Sequence, residues 1–127
     1  MDSLRVLILG INYAPESTGI APYTTGLAEG LARKGHDVRV VTGLPHYPQW
    51  KIAPGYENRA AFDEQVGELM IHRVPHFVPD PPSARGRVRM EASYGRGLVR
   101  SKWGWRAKSL IRPVDARDVT LASALQP

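Results

Sequence analysis

Two short segments of the sequence combine residue types that can bind a ligand. Residues 10–20 carry Gly19 just before a predicted helix, so free backbone N–H groups there can approach an anionic oxygen. Residues 43–51 supply the imidazole of His46, the aromatic rings of Tyr47 and Trp50, and an ammonium group. Aromatic rings stack on sugar rings, and a histidine serves as a general base or hydrogen-bond partner. The alternative interpretation is a glycine that only permits a turn, followed by a proline-stiffened loop whose aromatic rings pack on a sheet.

Both segments follow predicted parallel strands. The apolar run at residues 4–9 predicts a buried strand, and residues 38–42 predict a second one. Between them a helix is predicted at residues 21–34, with Pro22 in its first turn and Gly35 as a left-handed stop. Such a β-α-β unit places the carboxyl ends of its strands at one edge of the sheet, where open α/β sheets bind ligands. We therefore predict an α/β fold with a Rossmann-like parallel sheet.

The packing of this predicted sheet follows from the remaining apolar pattern. Tyr23, Leu27 and Leu31 recur every four residues and predict the buried face of the helix. Residues 68–74 predict a third parallel strand, which we expect to leave an unpaired edge that limits solubility. Seven of the eleven prolines fall at residues 45–82, so the rest of that region is predicted as loop.

Several kinds of site are not supported by the sequence. The dinucleotide fingerprint needs glycines where Asn12 and Pro15 stand, and a Walker loop would need a Gly-Lys-Ser/Thr triplet, which is absent. The chain has no cysteine, which excludes disulfides and thiolate metal ligands and fits a reducing cytoplasm. His72 and His76 are four residues apart, but Pro75 intervenes and no third ligand is near, so no zinc site is predicted.

The four histidines are predicted to differ in role. His36 lies in the turn after the helix, at the opposite edge of the sheet, and is expected to be structural. His72 lies inside a strand and is expected to be paired or packed. His76 lies just beyond that strand and remains a site candidate beside His46.

Positive charge is concentrated in the second half of the chain. The net charge is +5, and residues 1–63 balance six bases with six acids. Residues 85–112 hold nine bases and one acid, Glu91, and residues 85–103 predict a basic helix weakened by Gly95 and Gly97. Such a segment can attract phosphate, anionic lipid headgroups or nucleic acid, or it can be a solvated helix face. No apolar run is long enough for a signal peptide or a membrane span.

Several blocks of the sequence together resemble a known enzyme family. In order, they are the run VLILGINYAPE at 6–16, TGIAPY at 18–23, GHDVRVVTG at 35–43, PHYP at 45–48, PGY at 54–56 and HRVPH at 72–76. They resemble the opening of the family 4 type glycosyltransferases of GT-B fold, most of all the branch that builds colanic acid and similar exopolysaccharides. The likeness covers roughly residues 4–104.

The resemblance implies a retaining transfer, without metal or other cofactor, of a sugar from a nucleotide diphosphate sugar to a glycan or lipid-linked acceptor. The chain would supply the acceptor-side, N-terminal part of the GT-B fold. A donor-phosphate loop would then consist of Thr18, Gly19 and Ile20. The residues expected to face the cleft or the acceptor are Asn12, Tyr13, Glu16, His46 and Tyr47; no catalytic residue is assigned.

The sequence departs from the family pattern toward its end. The likeness fades near Gly104, and the donor-binding domain that the family places next does not follow. Residues 1–104 are therefore predicted to be a partial acceptor-side domain that is inactive alone, and residues 105–127 a divergent tail, out of frame or disordered. Peripheral contact with the inner face of the membrane through residues 85–112 is a further expectation. The alternative function is a non-catalytic basic module that binds an anionic membrane surface or nucleic acid. Of these two partners, nucleic acid is not expected.

Overall fold

Four strands and two helices make up the part of the chain that the computed structural model describes, residues 3–101. In chain order they are β1 (Arg5–Leu9), α1 (Ala21–Arg33), β2 (Asp37–Thr42), β3 (Phe62–Val66), β4 (Leu69–Arg73) and α2 (Ala84–Arg100). The tail predicted at residues 105–127 lies outside the described residues.

The strands form one mostly parallel sheet in the order β1-β2-β4-β3. β1 pairs with β2 in parallel, with Ile8 opposite Val40, and β2 pairs in parallel with β4, with Val40 opposite Ile71. Apolar residues dominate these three strands because both faces of the sheet are covered by a helix. The predicted α/β, Rossmann-like arrangement and the three parallel strands are therefore confirmed.

The strand β3 was not predicted, and it changes which strands lie at the edges. It runs antiparallel to β4, and Gly67 begins the turn between them with a φ of 59°. Its sequence, FDEQV, is mostly polar because it is an edge strand that is largely exposed. The expectation that the third parallel strand ends the sheet was wrong, because β4 lies between β2 and β3. The edges of the described sheet are β1 and β3.

Helix α1 covers one face of the sheet through small side chains. Its bounds agree with the prediction, but its predicted apolar face was wrong: Tyr23 is 75% exposed and Leu27 is 43% exposed. The buried positions are Ala21, Thr24 and Ala28, and Leu31 is only partly buried. Small residues at these positions let the helix backbone approach the strands closely, so the larger side chains point outward.

Helix α2 covers the opposite face and confirms the predicted basic helix. Met90 and Tyr94 pack with Val41, and the Tyr94 hydroxyl donates a 2.6 Å hydrogen bond to the Val41 carbonyl. Gly97 lies against Val74 so closely that a Cβ atom would come within 3.3 Å of it, so this glycine serves packing. Neither helix in residues 3–101 is both long and apolar enough to cross a membrane.

Candidate functional site

The two segments with ligand-binding chemistry form neighbouring loops at the carboxyl edge of the sheet. The first loop (residues 10–20) follows β1, and the second loop (residues 43–51) follows β2. The backbone ladder continues into both, because the Gly10 N–H donates to Val41 and the Gly43 N–H donates to Ile11, at 3.2 and 3.3 Å. Parallel pairing of β1 and β2 thus brings the loops together, as the β-α-β pattern predicted.

The carboxylate of Glu16 ties the first loop to the second. One oxygen accepts a 2.9 Å hydrogen bond from the side-chain amide of Asn12. The other accepts the backbone N–H groups of His46 and Tyr47, both at 2.8 Å. The Glu16 side chain is almost fully buried, and hydrogen bonds to a buried carboxylate are among the stronger kind. Four residues predicted to face the cleft therefore form one network.

The histidine rings of the site brace the start of the second loop. His46 donates from Nδ1 to the Leu44 carbonyl at 2.8 Å, and its ring meets that of His76 edge-on at 4.9 Å. His76 accepts the Leu44 N–H at Nε2 and donates from Nδ1 to the Phe77 carbonyl, both at 3.0 Å. Burial lowers the pKa of His76, so the neutral ring, which can accept a hydrogen bond at Nε2, is favoured.

Gly43 is required by the position of His76. A Cβ atom on this residue would lie 2.4 Å from Nε2 of His76 and 3.0 Å from the Ile11 side chain. No other residue type fits there without moving the imidazole ring. The glycine that follows β2 therefore lets His76, in the segment after β4, brace the second loop.

A buried arginine, which was not predicted as a site residue, holds both loops from below. Arg73, at the end of β4, is 2% exposed. Its guanidinium donates to the carbonyl of Gly43 at 2.9 Å, to the carbonyl of Ala14, and to the carboxylate of Glu64 in β3 at 2.5 Å. Pairing with Glu64 balances the buried charge, and each terminal nitrogen donates to one of the two carbonyls. Arg73 thus fixes one point on each loop.

The rest of the second loop presents half-buried aromatic rings. The Tyr47 and Trp50 rings meet edge-on at 5.8 Å, and Trp50 lies 6.1 Å from His46. Trp50 has a φ of 55°, a left-handed conformation that costs a non-glycine residue free energy and is concentrated at functional sites. The guanidinium of Arg87 in α2 lies 5.0 Å above the Trp50 ring. These rings are the half-buried aromatic surfaces of the second loop.

The predicted donor-phosphate residues surround the start of α1. Thr18 and Gly19 are exposed, Gly19 has a φ of 69°, and Ile20 is the N-cap residue. No side chain caps this helix end. Pro22 has no N–H group, and Tyr23 and Thr24 donate theirs to the Ile20 carbonyl. The features that favour an anionic ligand are therefore the positive end of the helix dipole and the backbone N–H groups that precede Pro22.

Tyr13 is the one predicted cleft residue that the structure separates from this network. Its side chain packs beneath α1 with Ala28 and Ile71, and it is 2% exposed. Burial raises the pKa of Tyr13 to about 12. Its hydroxyl has no hydrogen-bond partner within residues 3–101. In the described chain Tyr13 is therefore part of the core.

The other histidines lie where the sequence placed them. His36 accepts the Leu4 N–H at 3.0 Å on the far edge of the sheet, which confirms its structural role. His72 is buried and pairs with Asp63 of β3, which confirms the paired residue that was expected. Among the described residues, no group of three or more histidine or acidic side chains is placed to hold a metal ion.

The sheet topology is that of the Rossmann-like domains. Domains of this class bind ligands at the carboxyl ends of their parallel strands, where the two loops of this chain lie. Residues 18–111 match the model of the family described as glycosyl transferase 4-like domain. The chain belongs to this family, as its sequence blocks suggested.

A curated relative agrees with this assignment. Over 85 residues the chain is 41% identical to a protein of Escherichia coli (strain K12) described as the colanic acid biosynthesis glycosyl transferase WcaI. The matched region covers 67% of this chain and 21% of that relative. The chain thus spans about a fifth of the length of the relative it matches.

Proposed function

We propose that the chain is the acceptor-side part of a glycosyltransferase of exopolysaccharide or cell-envelope biosynthesis. The intact enzyme moves a sugar from a nucleotide diphosphate sugar to a glycan or lipid-linked acceptor, with retention of configuration and without a metal. The reaction takes place in the cytoplasm, which the cysteine-free sequence suits.

The observation that carries this proposal is the network around Glu16. It holds the start of the second loop, at His46 and Tyr47, against the first loop. The aromatic rings of the second loop and the helix N-terminus that follows the first loop then both belong to the carboxyl edge of the sheet. A sugar acceptor can stack on Tyr47 and Trp50 while a diphosphate approaches the N–H groups near Gly19. We propose that these two surfaces bind the two substrates of sugar transfer.

Residues 3–101 supply one wall of such a cleft, and we propose that the chain alone transfers no sugar. A ligand is bound tightly when a pocket buries most of its surface. The 85 residues aligned with the E. coli relative cover about a fifth of it, so the donor side is expected in sequence beyond that region. Calorimetry with UDP-glucose and GDP-mannose should therefore detect little or no binding. Tight binding of either compound to this chain would contradict the acceptor-side assignment.

Acceptor binding is tested by amide NMR spectra of the chain during titration with a neutral disaccharide such as lactose. We expect weak binding, with shifts confined to the first and second loops, and their loss in a Trp50→Ala variant. The matched control is Tyr23→Ala, which removes an exposed aromatic ring from the outer side of α1. Shifts that persist in Trp50→Ala, or that disappear equally in Tyr23→Ala, would contradict the assigned site.

A second candidate function is favoured by the charge of α2. A non-catalytic module that binds an anionic membrane or nucleic acid would use its arginines and would not need the Glu16 network. If Glu16→Gln and Trp50→Ala leave every measurable activity of the intact protein unchanged while arginine substitutions remove it, this second function replaces the first.

A further inference from the structure

Helix α2 carries its charge on one side. At 100° per residue, four of its arginines fall within an arc of about 60°, whereas Met90 and Tyr94 face the sheet. We call these four the arginine face: Arg85, Arg89, Arg96 and Arg100. They span about 22 Å along the helix axis. Glu91, the single acid of the helix, lies on the other side.

The arginine face takes part in none of the ion pairs of the described chain. Every ion pair of residues 3–101 shorter than 4.0 Å involves other residues. Arg89 stacks on the Phe77 ring at 4.1 Å, which holds its guanidinium in place without neutralising it. Arginines four residues apart on one helix repel each other. An anionic surface placed against this face relieves that repulsion.

An apolar stripe runs beside the arginine face on the outermost side of the helix. Val88 is 70% exposed and Val99 is 55% exposed, with Ala92 between them. Exposed valines flanked by arginines suit the boundary between lipid headgroups and acyl chains. They do not suit nucleic acid, whose bases are read by hydrogen-bonding side chains or stacked on aromatic rings, and neither is present on this stripe.

We propose that the arginine face and the apolar stripe of α2 dock on a bilayer that contains anionic lipid. Arg87, on the inner side of the same helix, contacts Trp50 of the second loop. A bilayer under α2 therefore lies close to the aromatic rings of that loop. If the proposed function holds, this position delivers a lipid-linked acceptor to the loop, but docking itself does not depend on sugar transfer.

Co-sedimentation with vesicles of phosphatidylcholine, with and without phosphatidylglycerol, tests the proposal. Each arginine near an anionic surface strengthens partitioning about fivefold. We expect replacement of the arginine face by four glutamines to weaken binding to anionic vesicles by roughly two orders of magnitude or more. The matched control replaces four exposed cations outside α2 and outside both loops, Arg5, Arg33, Lys34 and Arg59, by glutamine and so removes the same charge. Equal losses in the two variants, or no loss in the first, would overturn the proposal.

A fluorescent label on one introduced cysteine tests where the chain contacts the bilayer. The label attaches at that position alone, because the chain has no cysteine of its own. An environment-sensitive fluorophore on Val99→Cys should shift to the blue with anionic vesicles. The same label on Tyr23→Cys, on the helix at the opposite face of the sheet, should not shift. A shift at Tyr23→Cys alone, or tighter binding of a DNA duplex than of vesicles through the arginine face, would contradict docking on lipid.

Discussion

An added methyl group at Gly43 would enter the space that the His76 ring occupies. The Cβ atom of a Gly43→Ala variant would meet His76 at 2.4 and 2.6 Å and Ile11 at 3.0 Å. Non-bonded carbon atoms prefer about 3.5–4.0 Å, so the ring must move by roughly 1 Å. That movement weakens the hydrogen bonds of His76 with Leu44 and Phe77, both 3.0 Å long.

The magnitude follows from these contacts. Overpacking costs about 1–3 kcal/mol, and each hydrogen bond that is lost costs about 1 kcal/mol. Alanine also restricts the unfolded chain more than glycine does, and this stabilising effect offsets the cost by about 0.4–1 kcal/mol. We therefore expect Gly43→Ala to lower the free energy of unfolding by about 2–3 kcal/mol. In a domain of this size that corresponds to a fall in Tm of roughly 10–20 °C.

A double-mutant cycle with His76→Ala, followed by urea unfolding, identifies the cause. Without the imidazole ring, Gly43→Ala should cost less than about 1 kcal/mol, since only the Ile11 contact remains. Gly10→Ala is the matched control, because its Cβ atom would meet nothing within 4 Å. A cost for Gly43→Ala that is equal with and without His76, or no larger than that of Gly10→Ala, would refute the reasoning.

Three further predictions concern the same network. Arg73→Met should destabilise the domain by about 3 kcal/mol in urea unfolding, because Glu64 and two backbone carbonyls lose their donor; a change below 1 kcal/mol would contradict this. Glu16→Gln keeps the shape of the side chain but not its charge, and it should lower the free energy of unfolding by about 1–2 kcal/mol. The NMR amide signals of the second loop should also be displaced; unchanged signals would show that the loops are held by other contacts. The pKa of His76 is lowered in the folded state below its ordinary 6.5, so below that pH the unfolded chain binds more protons than the folded chain. The free energy of unfolding should therefore decrease as the pH is lowered, by up to about 1.4 kcal/mol per pH unit. A pH series of thermal unfolding should show this slope in the wild type and a smaller one in His76→Gln; equal slopes would remove His76 as the cause.

The elements of the fold that could be predicted are those with a local sequence pattern of their own. β1, α1 and β2 follow one another within 40 residues, and each has its own apolar run or helix signals. β3 was not predicted because an exposed edge strand needs few apolar residues. Its one local sequence signal is Gly67, which begins a two-residue turn before β4. The face of α1 was misjudged because periodicity detects large apolar side chains. Close helix-sheet packing here selects the small residues Thr24 and Ala28 instead.

The common sheet edge of the two loops was predicted from the sequence, but the contacts between the loops were not. The β-α-β unit dictates that both loops share one edge, whatever their sequence. The contacts that fix them join residues far apart in the chain: Glu16 reaches the second loop across 30 residues, and Arg73 reaches Ala14 across 59. No local pattern carries such pairings. Hence Glu16, which was expected to face the cleft, is a buried tie between the loops in the described chain, while Arg73 was not expected at all.

Transfer by a chimeric enzyme tests the assignment of this chain most directly. The segment of E. coli WcaI to which the chain is 41% identical is replaced by the 85 matched residues of this chain. Sugar transfer from nucleotide sugars to acceptors in E. coli membranes is then measured beside intact WcaI. We expect the chimera to transfer sugar, to keep this activity with His36→Ala on the far edge, and to lose it with His46→Ala while remaining folded. A folded chimera without transfer, or one in which the two histidine substitutions have the same effect, would contradict the acceptor-side role of the two loops.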